Sequence, residues 1–80
     1  MDQSELNRKL IINNVDQRSF SLAGTIKDES LVLESSGLNT WVVFYSERGL
    51  RTGEKYFGSE SQACEYMLKT LLRDPTVKKR

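Results

Sequence analysis

Residues 40–57, TWVVFYSERGLRTGEKYF, join an apolar run to a charged stretch with two glycines and then to an aromatic pair. Successive side chains of a strand point to opposite faces of its sheet. A strand at 40–46 therefore carries Trp41, Val43 and Tyr45 on one face and Val42 and Phe44 on the other. Apolar side chains on both faces mark a central strand, with neighbours along both edges. The charged stretch, with backbone freedom at Gly49 and Gly53, reads as the connection to a further strand at 54–58.

Working outward, SLVLES at 30–35 alternates Leu31 and Leu33 with Val32 and Glu34, and SGLN at 36–39 supplies turn chemistry. Three consecutive strands with tight connections predict an antiparallel meander, which is stable once a helix covers it. The C-terminal segment provides that helix. Ser59 and Gln62 have capping-box spacing, and Ala63, Cys64, Met67, Leu68, Leu71 and Leu72 recur at helical period up to about Arg73, where Pro75 stops the helix. Asp2 and Glu5 open a first helix over 2–13, with Leu6, Leu10 and Ile11 expected on its buried face. Residues 13–30 have no sustained period and read as a long connection pinned by Phe20 and Leu22, with room for a short edge strand near 20–22.

The predicted fold is thus α+β, in the order α-β-β-β-α: a three-stranded antiparallel meander packed by the C-terminal helix. Residues 1–74 form the domain and 75–80 a polar tail. If Trp41, Val43 and Tyr45 face the helices, then Val32, Val42 and Phe44 occupy the other sheet face and need a cover of their own. The connection at 15–27 and another protein are the two alternatives.

Composition narrows the chemistry. The chain has 80 residues, 12 basic against 11 acidic, so it lacks the basic excess with which nucleic-acid binders neutralise phosphates. It has no histidine, which removes the commonest general base, the commonest metal ligand and the partner of Ser–His and Cys–His nucleophiles. The lone cysteine, Cys64, falls on the apolar helix stripe and reads as a small core residue. One cysteine and no run long enough to span a bilayer predict a soluble cytoplasmic protein. No metal, cofactor or catalytic site is expected.

What remains is the charged hairpin. Its bland reading is a solvated connection; its functional reading is a polar recognition rim of Tyr45, Glu47, Arg48, Arg51, Glu54 and Lys55. Mixed sign favours a protein partner over a polyanion, and Arg and Tyr are enriched where proteins meet. The basic tail VKKR at 77–80 reads as a solvating terminus.

Two resemblances bear on this choice. The α-β-β-β-α order matches that of double-stranded-RNA-binding domains, but those place lysines at the start of the last helix, where this chain has SESQACEY with two glutamates. The segment WVVFYSERGLRTGEKYFGSESQACEYMLKTLLRDPT, within 40–76, resembles small bacterial immunity proteins of polymorphic or contact-dependent toxin systems. The resemblance lies in the aromatic strand, the Ser-x-Arg-Gly turn, Phe57, and the Ala-Cys that opens a leucine-rich helix ending in Arg-Asp-Pro. It implies a non-enzymatic protein that neutralises a cognate toxin, frequently a nuclease, by direct contact. The alternatives are a small RNA-binding module and a non-catalytic accessory subunit.

Overall fold

A computed structural model describes residues 1–22 and 29–74. Helix α1 (Gln3–Ile12) opens on Asp2, whose carboxylate accepts from the Glu5 amide at 2.9 Å. Its end is shaped by Asn14, in the left-handed region at φ 64°. Asn14 N–H donates to the Ile11 carbonyl and Val15 N–H to the Leu10 carbonyl, the paired bonds of a Schellman C-cap. That cap turns the chain back so that Leu10 and Val15 enter the same core. A single 3-10 turn (Gln17–Ser19), capped by the Asp16 carboxylate on Arg18 N–H, then delivers the chain to β1 (Phe20–Ser21).

Strands β2 (Ser30–Gly37), β3 (Thr40–Glu47) and β4 (Leu50–Phe57) form the antiparallel meander. The sheet has four strands rather than three, in the order β1-β2-β3-β4, because β1 pairs in parallel with the start of β2, Phe20 opposite Leu31 and Ser21 opposite Val32. The predicted edge strand near 20–22 is therefore present. Its short ladder adds Phe20 to the helix side of the sheet.

Helix α2 (Glu60–Arg73) starts at Ser59, whose hydroxyl accepts from the Gln62 amide at 3.2 Å. Ala63, Cys64, Met67 and Leu71 are buried, with Leu68 and Leu72 packed beside them. They meet Leu33 and Val43 from the sheet, Leu6 and Leu10 from α1, and Val15 and Phe20 from the connection. Trp41 and Leu31 flank this core half-buried. The predicted stripe is thus the one that packs.

Two expectations need correction. Ile11 is 47% exposed and Ile12 80%, so the buried face of α1 is carried by Leu6 and Leu10 alone. Those two are four apart and lie one turn above the other, whereas Ile11 is rotated by about 100° from Leu10. The last strand begins at Leu50 and ends at Phe57, not at 54–58, so most of the supposed connection belongs to the ladder. Only Arg48 and Gly49 turn the chain. Both have positive φ, 51° and 80°, which matches the right-handed twist of the strands they join.

The opposite sheet face carries a second, smaller core of Val32, Val42 and Phe44, each no more than 1% exposed. Of the described part of the connection, Val15, Phe20 and Leu22 lie in or against the helix-side core, while Ser21, opposite Val32, is buried on the second face. The predicted tail, 75–80, and the remainder of the connection, 23–28, lie outside the described residues.

Met67 is fully buried at the centre of the helix–sheet contact. Met67→Ala is expected to cost about 2–5 kcal/mol in chemical denaturation, and Met67→Asp to abolish the cooperative thermal transition. Asn14→Ala should cost about 1 kcal/mol through its left-handed backbone, while Asn14→Gly should cost nothing or stabilise. Equal thermal midpoints for the two Asn14 variants would contradict the cap.

Candidate functional site

The hairpin of β3 and β4 presents the predicted rim, but on two faces. Register fixes which. Ser46 lies opposite Arg51 and Val42 opposite Tyr56, while Tyr45 lies opposite Thr52 and Val43 opposite Lys55. Directly opposed residues share a face. Tyr45 and Lys55 therefore stand on the helix side of the sheet, and Arg51 and Tyr56 on the other. Glu47 is opposite Leu50 at the tip, next to the Arg48–Gly49 turn. The six predicted residues do not form one patch.

Between Val43 and Tyr45 the register slips, so that Gly53 and Glu54 together oppose Phe44. This is a β-bulge, and Gly53 takes the left-handed conformation it requires, φ 62°. The bulge permits Arg51 and Glu54 to converge on one face. Arg51 Nη2 pairs with Glu34 Oε1, and Arg51 Nη1 lies 3.5 Å from Glu54 Oε2. The same guanidinium stacks over the Phe44 ring, 4.0 Å from its centroid. Arg51 thus covers Phe44 of the second core, its guanidinium over the aromatic ring and its two terminal nitrogens each paired with a carboxylate. Tyr56 Oη donates to Glu54 Oε2 at 3.4 Å and extends the row.

Glu34 and Phe44 were missing from the predicted rim. Their signal was cross-strand: Glu34 is 17 residues from Arg51, and only the hairpin registers bring them together. The bulge hides that pairing from simple alternation.

Exposure singles out β4. Every residue from Leu50 to Tyr56 is exposed, including Leu50 at 66% and Tyr56 at 60%, and only Phe57 is half-buried. Among the described residues nothing pairs with its outer edge. Phe57 leans on Tyr66 of α2 with ring centroids 5.2 Å apart. On the helix side, Tyr45 lines a cleft of about 280 Å³ together with Ser19, Glu29, Leu31, Thr70 and Leu71.

Cys64 is buried, and burial, reinforced by the nearby Glu60 charge, pushes its thiol up to about 11. A thiol held protonated is a poor nucleophile at neutral pH. Among the described residues no group of three or more His, Cys, Asp or Glu is placed to hold a metal ion, and no helix is long and apolar enough to cross a membrane.

Comparison of the chain with protein-family models, with curated proteins and with solved structures finds no match.

Two outcomes follow from this geometry. Gly53→Val should lower stability by about 1–2 kcal/mol through its backbone alone, because open space surrounds the position. A neutral Gly53→Val in urea denaturation would contradict the bulge. Because the Cys64 thiol is raised in the folded state, its contribution to stability is fully present below pH 9 and fades as pH rises toward 11. Wild type should therefore lose stability faster than Cys64→Ala across that window. Parallel pH profiles would contradict it.

Proposed function

We propose that this chain is a non-enzymatic, immunity-type binding module that neutralises a cognate toxin by protein–protein contact through the β3–β4 hairpin. One observation carries the reading. A strand fully integrated in the sheet, β4, gives no fully buried side chain to either core and offers Leu50, Arg51, Glu54, Lys55 and Tyr56 to solvent. Strands are ordinarily retained for what they bury, so one that buries so little is explained by what it displays.

The turn supports this. Arg48 occupies a left-handed position at φ 51°, where Asn or Gly is favoured and a long side chain is strained. Strained residues that persist at exposed turns cluster at binding sites. Mixed charge at the hairpin, Glu47 and Glu54 against Arg48, Arg51 and Lys55, suits a protein surface with its own mixed pattern. The toxin as partner comes from the resemblance of residues 40–76 to immunity proteins, and an intracellular site of action comes with it.

Arg48→Asn is expected to stabilise the free protein by a few tenths to about 1 kcal/mol while weakening the complex. The direct test is co-expression. A toxin domain encoded beside this chain should arrest growth alone and spare cells when this chain is present. The double variant Arg48→Glu and Leu50→Ser, folded by circular dichroism, should lose protection and about 2 kcal/mol or more of affinity. Full protection by that variant would move the interface off the hairpin.

A further inference from the structure

We propose that β4 binds its partner by strand addition, taking an extended acidic segment along its open edge with one apolar or aromatic side chain seated between β4 and α2. The proposal rests on the binding-module reading and names the chemistry of what is bound. Its first support is the edge. β4 is the terminal strand of the sheet and eight residues long, and residues 50–56 are exposed. An antiparallel or parallel segment laid along it gains main-chain hydrogen bonds, which supply affinity without sequence dependence.

The second support is the flank of α2 beside that strand. Phe57 of β4 and Gln62, Glu65, Tyr66 and Lys69 of α2 line a cleft of about 350 Å³. Its apolar wall is the Phe57–Tyr66 ring pair. Tyr66 also borders the next cleft along the helix, with Thr70, Arg73 and Asp74. A strand added to β4 alternates its side chains between the two sheet faces. The one opposite Phe57 enters the cleft. The one two residues away, opposite Lys55, stands on the same helix-facing side.

Charge selects the occupant. Lys55 and Lys69 are exposed and form no ion pair among the described residues, and Arg73 continues the basic row on α2. Among the described residues, Glu65 is the carboxylate lining the cleft beside Phe57, and Asp74 lines the adjoining one, against three basic side chains. A carboxylate on the incoming segment, two residues from its apolar anchor, meets this excess. The pattern sought is an acidic residue, any residue, then an apolar or aromatic one, in either direction along the strand.

The purified full chain would be panned against phage-displayed random octapeptides, and the strongest synthetic peptide titrated. The expected result is enrichment of the acidic-x-apolar pattern and a loss of at least tenfold when alternate peptide amides are N-methylated. A loss of at least tenfold is also expected with the Lys55→Glu, Lys69→Glu double variant, whose thermal midpoint should stay near wild type. A peptide that tolerates N-methylation, one that binds the double variant equally well, or no enrichment at all would overturn the proposal. So would concentration-dependent dimerisation in sedimentation that protects β4 amides from exchange, because the occupant would then be a second copy. A failed panning beside successful protection in co-expression removes strand addition and leaves the binding-module reading intact. Peptide binding without protection does the reverse.

Discussion

The fold turns on one constraint: β3 is apolar on both faces and must be covered on both. Val43, with Trp41 beside it, faces the helices, and Val42 and Phe44 face away. A strand of that kind is stable only in the interior of a sheet, with β2 along one edge and β4 along the other. Once β3 takes that place, the burial available to the chain is nearly spent. α2 lies over the helix-side face and α1 beside it, so β4 is left as an edge strand with little to bury. Function, on this reading, is lodged in the strand that the core can spare.

The second face is covered by chemistry of a different kind. There Arg51 lies over the Phe44 ring and is held by Glu34 and Glu54. Each exposed ion pair is worth only about 0.2–1 kcal/mol, and the cation–π contact about 0.5–1 kcal/mol. Their larger effect is geometric. They fix the guanidinium over the ring and so leave other hairpin side chains exposed: Arg48 and Leu50 at the tip, Tyr56 on the Arg51 face, Lys55 on the helix side.

Much of the architecture was legible in the sequence because periodicity reports burial directly. The stripe from Ala63 to Leu72, the alternation of 40–46 and the two capping residues Asp2 and Ser59 all correspond to contacts in the structure. The extent of β4 was not legible. Glycine and charge are the usual marks of a connection, yet here they mark a two-residue turn, an edge strand with no core to satisfy and a bulge at Gly53. An edge strand exposed on both faces carries no apolar alternation, so periodicity is silent where exposure is greatest. Ile11 misled for the opposite reason: an apolar side chain next to a true core position is not itself buried. The candidate rim was found as a segment but not as a surface, because the strand places its neighbours on opposite faces and brings Glu34 in from β2.

The central claim, that β3 is the enclosed strand and β4 an open edge, is tested most directly by residue-resolved amide hydrogen exchange on the free protein. In a paired interior strand the amides toward both neighbours are slow, and in an edge strand only those facing inward are. The account predicts slow exchange throughout Val42–Ser46 and an alternation of slow and fast amides along Leu50–Phe57, interrupted at Gly53 and Glu54. Uniformly slow exchange along β4, or fast exchange at alternate positions of β3, would contradict it.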